Sequence, residues 1–251
     1  MPLYFIGLGL NNEKDVTING LEAIKKCDLI YLENYTSILN CTKEDLEKFY
    51  NKKIILARRS IVEADNNEIL ENAKTKNVAF LVAGDPFAAT THIDLFLRAK
   101  KERVKCDIIH NSSIVSAVGI TGLQVYKFGK TTSIPLENEN VEAPDDILKG
   151  NLSLGLHTLF LLDLNPEEEK FMMINDAVRY LLKVELKRNE RIFSEKTLCG
   201  GCARIGSENQ VIKAGTAKDL LKFNFGKTVH CLIVPGKLHF MEEEALKIFT
   251  L

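Results

Sequence analysis

The sequence predicts an α/β protein of two domains, with a largely parallel sheet in the N-terminal domain and a mixed sheet in the C-terminal domain. Short apolar runs alternate with amphipathic helical patterns along most of the chain, which is typical of a parallel sheet covered on both faces. In the second half the apolar runs come closer together. The run QVIKAG, from Gln210, follows its predecessor after only a short loop, so antiparallel neighbours are expected there.

In the first half, each predicted strand is an apolar run that is followed by a helical pattern. The predicted strands begin at Leu3, Leu29, Ile54, Val78 and Cys106. The predicted helices lie near residues 17–26, 42–50, 63–76 and 91–101. Thr42 is expected to cap the second helix, because Asp45 stands three residues later in a near capping-box arrangement.

The middle of the chain differs from the rest. SSIVSAVGITGLQVY, from Ser112, is predicted to be a weakly polar helix whose two glycines allow close packing against another backbone. The polar stretch 131–150, which contains Pro135 and Pro144, is predicted to be a loop that opens the second half.

The second half contains four further strand patterns and three helical patterns. The strands are expected to begin at His157, Thr197, Gln210 and Thr228, and the helices to lie near residues 172–187, at 217–223 and from His239. We therefore predict an N-terminal α/β domain at 1–112, a connecting helix and linker at 113–130, and a C-terminal α/β domain at 131–251.

The composition is that of a soluble globular protein, with 45% hydrophobic and 27% charged residues. The formal net charge is −1 and no basic stripe stands out, which disfavours direct nucleic-acid binding. The apolar runs are strand-sized, and the N-terminus lacks the basic region of a signal peptide. These features predict a cytoplasmic protein that does not bind membranes.

Six cysteines lie mostly within apolar segments, which suggests reduced, buried thiols. Cys199 and Cys202 have CxxC spacing, which could mark a redox centre or half of a zinc site. Neither a second CxxC nor a histidine pair accompanies them. We therefore favour a strand that ends in small residues, and we predict no metal site.

Ligands of open α/β sheets collect at the carboxyl ends of strands, and several predicted strand ends are unusual. Gly7 and Gly9 begin a dinucleotide-binding pattern, and Glu33 stands where its acidic residue belongs. However, Asn12 occupies the position of the third glycine, so a tight turn is the simpler interpretation.

A second strand ends at Gly84-Asp85-Pro86, where Pro86 holds the backbone of Asp85 extended. The Asp85 carboxylate could bind a ligand or cap the amides of the turn, and the residues alone favour neither. Ser113, with Ser112 before it, follows the next strand and could cap a helix or face the same ligand.

Basic residues and histidines also stand near strand ends. Arg204 and Lys237, in the second half, would face the ligand expected at these strand ends, although a lone basic residue is more often an ion-pair partner. His92, His157 and His230 stand beside strand ends, but their spacing defines no catalytic triad.

Seven blocks of the chain together resemble the diphthine synthases, a family of class III (tetrapyrrole-methylase-like) S-adenosylmethionine-dependent methyltransferases. In chain order the blocks are YFIGLGL, ENYTSIL, AGDPFAATTHIDL, SSIVSAVGITGLQVYKFGKT, LHTLFLLDL, ARIGSENQ and VPGKLHFMEEEAL. The resemblance covers nearly the whole chain, and several blocks are too long and specific to arise from a shared fold alone.

The resemblance implies a two-domain enzyme, usually a homodimer, that binds S-adenosylmethionine in a cleft between its domains. The protein substrate would be elongation factor 2, on a histidine that bears a 3-amino-3-carboxypropyl group. The amine would be methylated successively to a trimethylammonium. The block CARIGSENQVIKAGT is more similar to eukaryotic members, which also methylate the carboxylate.

The family's cofactor contacts fall at or near the strand ends already described. Carried over residue by residue, they are Leu10, Asp85, Ala88, Ser113, Ile114, Leu162, Ile205 and His230. No catalytic base is assigned, although His92 or His157 could serve, and Arg204 or Lys237 could hold the substrate carboxylate.

Three features depart from the family pattern, namely Asn34 in place of an expected alanine, a short 131–150 segment and a C-terminus soon after VPGKLH. They bear on the protein-substrate surface more than on the cofactor site. Two other functions stay open, a class III methylase that acts on a tetrapyrrole or ribosomal RNA and a nucleotide-binding module without turnover.

Overall fold

The first half folds into a parallel five-stranded sheet in the computed structural model, which describes residues 1–64 and 67–251. The strand order is β3-β2-β4-β1-β5, and every neighbouring pair is parallel. The strands are β1 (Pro2–Gly7), β2 (Leu29–Glu33), β3 (Ile55–Ala57), β4 (Val78–Val82) and β5 (Lys105–Ile109). The helices are α1 (Ile18–Lys26), α2 (Lys43–Tyr50), α3 (Arg59–Val62), α4 (Glu68–Ala73) and α5 (Ile93–Lys101).

This sheet is covered on both faces because successive side chains of a strand point in opposite directions. Phe5 and Phe80 pack with residues of α4 and α5, and Ile6 and Leu81 pack on the other face with residues of α1 and α2. All five residues of β4 are buried, as expected for a central strand of a parallel sheet.

The second half forms a mixed sheet of order β11-β10-β12-β7-β6. Only β6 and β7 are parallel, and the other neighbours are antiparallel. The strands are β6 (Thr132–Ile134), β7 (Thr158–Leu162), β10 (Leu198–Ala203), β11 (Val211–Thr216) and β12 (His230–Val234), while β8 (Leu164–Asn165) and β9 (Lys170–Phe171) form a separate small ribbon. The helices are α6 (Ile114–Ala117), α7 (Ala143–Ser153), α8 (Ile174–Arg188), α9 (Ala217–Lys222) and α10 (Phe240–Lys247).

The chain divides into two compact units, Met1–Ile114 and Val115–Leu251. The core of the second unit lies between its sheet, α8 and α9, where Phe160 and Leu232 pack with residues such as Leu181. The two-domain α/β fold with one parallel and one mixed sheet is thus confirmed. The boundaries expected at residues 112 and 130 stay predictions.

The prediction of one continuous helix from Ser112 was wrong. The segment forms α6, then 3-10 turns at Val118–Thr121 and Val125–Lys127. Gly122 between them has a φ of 84°, which ends a right-handed helix, and a Cβ there would lie 2.1 Å from the Cβ of Ala245. Packing against α10 therefore overrides the helical pattern.

The prediction that residues 131–150 form a loop was also wrong. The segment contains β6 and most of α7, and Pro144 lies in the first turn of α7. Proline is compatible with that position, since the first amides of a helix have no intrahelical partner. Pro144 therefore begins a helix here instead of excluding one.

The helix predicted near residues 63–76 is shorter in the structure, where α4 covers Glu68–Ala73 and Asn67 accepts a hydrogen bond from the amide of Leu70 as its N-cap. The short helix α3, which ends before that range, was not predicted. Residues 65 and 66 of that prediction lie outside the described part of the chain. The cap at Thr42 is confirmed, because a complete capping box links Thr42 and Asp45. Across the described ranges, none of the helices combines the length and apolar character that crossing a membrane requires.

Candidate cofactor-binding site

The carboxyl ends of β1 and β4 are joined just beyond the strands. Gly9 donates to the carbonyl of Gly84 at 3.2 Å, and Gly84 donates back at 2.7 Å. Both glycines have a φ of 78°, a conformation that L side chains rarely adopt. This connection places Leu10 and Asp85 at the same edge of the sheet, one residue beyond each glycine.

Asp85 is held by the loops that follow β4 and β5. Its Oδ1 accepts from the amide of Phe87 at 3.0 Å, and its Oδ2 accepts from the amide of Asn111 at 3.2 Å. The Nδ1 of His110 lies 2.7 Å from the same Oδ2. Burial alone would raise the pKa of Asp85, but these hydrogen bonds outweigh it and lower the pKa, so the carboxylate is ionised near neutrality.

Asn111 links this cluster to β1. Its side-chain amide donates to the carbonyls of Gly7 and Asp15, both at 3.0 Å. The Oδ2 of Asp15 in turn accepts from the amide of Leu10 at 3.2 Å. The ends of three neighbouring strands are therefore fixed by one hydrogen-bonded network.

The other predicted cofactor residues of this unit lie close to the same edge. Ala88 is half-buried, and its amide bonds the carbonyl of Asp85 at 3.4 Å. Ser113 is buried and stands immediately before α6, which starts at Ile114. A Cβ built on Gly84 would lie 3.9 Å from the Cα of Ser113. The network thus brings Leu10 and these residues to one end of the sheet.

The three predicted residues of the second unit lie at or just beyond one end of the neighbouring strands β10, β12 and β7. Strand pairing places Ala203 opposite His230 and Leu161 opposite Cys231, so Leu162 lies at the level of His230. Ile205 follows two residues after Ala203. Leu162, Ile205 and His230 are each less than 10% exposed.

Both ring nitrogens of His230 have partners inside the chain. Nε2 donates to the carbonyl of Lys227 at 2.9 Å, and Nδ1 accepts from the amide of Ile174 at 3.4 Å. Burial lowers the pKa of His230, which keeps the ring neutral. Any cofactor contact of this residue therefore uses its backbone or its ring carbons.

The two histidines named as candidate bases are structural. His92 is 1% exposed, donates from Nδ1 to the carbonyl of Pro86 at 3.0 Å, and has its pKa lowered by burial to about 4. His157 is fully buried, donates from Nε2 to Glu242 at 2.9 Å and accepts from the amide of Gly236 at 2.9 Å. Neither ring is therefore open to solvent.

The guanidinium of Arg204, considered for the substrate carboxylate, is bound by the chain itself. It donates to the carbonyls of Asn209, Phe225 and Lys227, and the residue is 9% exposed. It therefore links the loop between β10 and β11 to the segment between α9 and β12. Lys237 is exposed, so its side chain stays a candidate for that carboxylate.

Glu33 also forms hydrogen bonds within its own loop. Its carboxylate accepts from the amides of Tyr35 and Thr36 and from the Thr36 hydroxyl, at 2.5–2.9 Å, and the residue is 2% exposed. It therefore cannot act as the acidic residue of a dinucleotide site. A cavity of about 260 Å³ elsewhere in this unit is lined by Val62, Glu63, Thr91, Asp94, Leu95 and Arg98, and it includes none of the predicted cofactor residues.

The CxxC pair lies within β10. Cys199 and Cys202 are three positions apart, so their side chains point to opposite faces of the strand and cannot share a disulfide or a metal. Cys202 instead lies directly opposite Cys231 on β12, and all six cysteines are free. Within residues 1–64 and 67–251, no group of three His, Cys, Asp or Glu side chains could hold a metal ion.

His110 is the site residue that the sequence reasoning missed. It follows β5 directly, and its side chain is 69% exposed. In the sequence it is only the last residue of a predicted strand. Its neighbour in the structure, Asp85, is 25 positions away along the chain, so no local pattern connects the two. Only the strand order, in which β1 separates β4 from β5, brings the two together.

Comparison with known proteins defines the class of this two-unit fold. The profile of the family described as Tetrapyrrole (Corrin/Porphyrin) Methylases matches residues 2–221. The chain therefore belongs to the tetrapyrrole methylase family.

Individual members of that family are similar to this chain over almost its whole length. The chain is 48% identical to the diphthine synthase of Methanococcus maripaludis strain C6, over 98% of this chain and 97% of the relative. It is 45% identical to the diphthine methyl ester synthase of Dictyostelium discoideum, over 99% and 98% of the two chains. A crystal structure of diphthine synthase superposes with a TM-score of 0.92 at 39% identity, covering 100% of this chain and 96% of that one.

The protein is accordingly an S-adenosylmethionine-dependent methyltransferase. The predicted residues fit such a methyl donor, because they are mainly apolar with a few polar groups among them, as small-molecule sites usually are. The ionised Asp85 also supplies a negative charge for a ligand that carries a sulfonium and an ammonium group. Whether each of the eight residues contacts the donor stays a prediction.

Proposed function

We propose that this protein methylates the 3-amino-3-carboxypropyl-histidine of elongation factor 2 in diphthamide biosynthesis. The observation that carries the proposal is the similarity to diphthine synthases over almost the full length of both chains. The seven sequence blocks that resemble this family span both units, so the acceptor as well as the donor is expected to be that of the family.

The proposed reaction adds methyl groups successively to the amine until a trimethylammonium is formed. We further propose that the carboxylate is then methylated, because the CARIGSENQVIKAGT block resembles the eukaryotic members. The donor is already activated, so the protein's main contribution is to position the acceptor nitrogen and to exclude water.

The cofactor-binding residues proposed for this reaction are the five of the first unit and the three of the second. They are Leu10, Asp85, Ala88, Ser113, Ile114, Leu162, Ile205 and His230. Support comes from the five residues of the first unit, which lie beyond the carboxyl ends of its parallel strands, where ligands of α/β folds bind. We also propose a homodimer in the cytoplasm, where its protein substrate acts.

Three acceptors test the proposed function. Purified protein and labelled S-adenosylmethionine are incubated with unmethylated elongation factor 2, a tetrapyrrole precursor or ribosomal RNA. We expect label in the factor alone, and a parallel reaction with S-adenosylhomocysteine added in excess should suppress it. Label in the tetrapyrrole or the RNA, but not in the factor, would assign the protein to another branch of the family.

A module without turnover is tested separately by calorimetry. The proposed enzyme is expected to bind both S-adenosylmethionine and S-adenosylhomocysteine. If the protein bound neither compound, the result would favour the nucleotide-binding module without turnover.

A further inference from the structure

His110 and Asp85 form a carboxylate–histidine pair at the carboxyl edge of the parallel sheet. The Nδ1 of His110 lies 2.7 Å from the Oδ2 of Asp85. The pair connects the loops after β4 and β5, which flank β1. His110 also stands three and four positions before Ser113 and Ile114, two of the proposed cofactor contacts.

The environment of Asp85 fixes the tautomer of His110. The carboxylate is ionised and can only accept, so Nδ1 carries the proton and donates it. The neutral ring then has its lone pair on Nε2. Since 69% of the side chain is exposed, this nitrogen can meet a substrate and exchange protons with water. Asp15 is a further acidic residue of this network and is connected to the pair through Asn111.

The proposed reaction needs such a proton acceptor. A substrate ammonium must lose a proton before its nitrogen can form a bond to the methyl carbon. As that bond forms, the carbon–sulfur bond breaks and its electron pair stays on the sulfur, which becomes a neutral thioether. The product is again an ammonium with one proton fewer, so three successive transfers release three protons.

The other described histidines are less suited to this task. The rings of His92, His157 and His230 are buried and engaged by the chain. His239 is exposed, but its Nδ1 accepts from the amide of Met241 as the N-cap of α10.

We propose that His110 accepts the proton of the substrate amine on Nε2 before each transfer, and that Asp85 is the positioning residue that holds its ring. The inference rests on the proposed function, because it needs an amine acceptor. The imidazolium formed passes its proton to water before the next transfer.

The test uses His110→Asn in the full-length protein. The asparagine amide can replace Nδ1 as a donor to Asp85, but it offers no base at the position of Nε2. We expect the affinity for S-adenosylmethionine, measured by calorimetry, to change by less than about threefold, while methyl transfer at neutral pH falls by about 10²-fold or more. The rate of the variant should rise with pH beyond the point where the wild type levels off, and added imidazole should restore part of it.

NMR of the ring nitrogens gives a readout that does not depend on turnover. In the wild type, neutral His110 should be protonated at Nδ1, and Asp85→Asn should shift it towards the Nε2–H form. A wild-type ring protonated at Nε2 would overturn the proposal.

Activity outcomes separate this inference from the proposed function. A wild type that transfers methyl groups to elongation factor 2, together with an equally active His110→Asn that has the same pH profile, would overturn the proton acceptor alone. A wild type that transfers nothing to the factor would overturn the proposed function and this inference with it.

Discussion

At Asp85, one carboxylate contributes to the fold and is proposed to contribute to the site. Its oxygens accept from the amides of Phe87 and Asn111, and Oδ2 also binds His110. The sequence alone favours neither of two roles for this residue, a cap of the turn or a contact with a ligand. The structure establishes the cap, and the contact with the methyl donor stays a proposal.

Replacing Asp85 with alanine should affect both binding and stability. Loss of an acceptor for two amides is expected to lower the free energy of unfolding by about 1–3 kcal/mol. Loss of the negative charge should weaken S-adenosylmethionine binding by about tenfold or more, equivalent to at least about 1.4 kcal/mol. Calorimetry and urea unfolding measure the two effects.

The matched control is Asp107→Ala, which removes a more exposed carboxylate from β5 of the same sheet. It should leave donor affinity unchanged. If Asp85→Ala lowered only the melting temperature and kept wild-type affinity, the residue would be a turn cap alone.

Glu242 is the clearest stabilising charge of the second unit. It is fully buried, accepts from the amides of Gln124 and His239, and also bonds Lys127 and His157. Burial would raise its pKa, but these partners lower it to about 2. Because the ordinary pKa is about 4.3, its contribution is fully present above that value and is lost as the pH falls towards 2.

Glu242→Gln is therefore expected to destabilise the protein by about 3–5 kcal/mol at pH 7, since it leaves Lys127 without its buried partner. The difference from the wild type should shrink between about pH 4 and pH 2, where the wild type itself loses the charge. The pKa of the neighbouring His157 is lowered, mainly by burial, so its own contribution is also lost on acidification, below about pH 6.5.

Urea unfolding at several pH values measures this effect, and Glu243→Gln on the exposed side of α10 is the control. Equal stability of the two variants at pH 7 would contradict the role given to Glu242.

At the scale of elements, the packing around β10 accounts for the CxxC sequence, so no redox chemistry is needed to explain it. A Cβ on Gly201 would lie 2.4 Å from the ring of Phe225, which is only 1% exposed. A Cβ on the adjacent Gly200 would meet only the Cβ of Ile233, at 3.7 Å. The two glycines thus differ because they face opposite sides of the same strand.

Gly201→Ala should therefore lower the free energy of unfolding by about 1–3 kcal/mol through overpacking. Gly200→Ala should be neutral or stabilising by up to about 1 kcal/mol, since glycine disfavours a strand interior. Chemical denaturation of the pair measures the contrast. Equal effects would mean that the contact with Phe225 does not explain the glycine.

Strands were the elements best predicted from sequence, because a buried strand such as β4 is an uninterrupted apolar run whatever surrounds it. Segments whose form depends on tertiary contacts were predicted poorly. Gly122 ends a helix because α10 packs against it, and Pro144 begins one although proline usually suggests a loop. The contact of Gly122 with α10 is not visible in local sequence, whereas the proline was misinterpreted because it is also compatible with the first turn of a helix.

At the scale of the whole molecule, the sequence predicted the two-domain α/β fold and, through its resemblance, the methyltransferase family. Asp85 was found because an acidic residue between glycine and proline at a strand end is unusual. His110 was not found, because its partner is set by the order of strands in the sheet. The backbone carbonyls that bind Arg204 could not be inferred from composition, so its structural role was not predicted.

The central claim is that this methyltransferase acts on the modified histidine of elongation factor 2. Mass spectrometry of that histidine after exhaustive reaction with S-adenosylmethionine tests it most directly. The account predicts a trimethylated amine together with a methyl-esterified carboxylate on the same residue. A histidine with no added methyl group, in a reaction where the enzyme methylates a tetrapyrrole or ribosomal RNA, would contradict it.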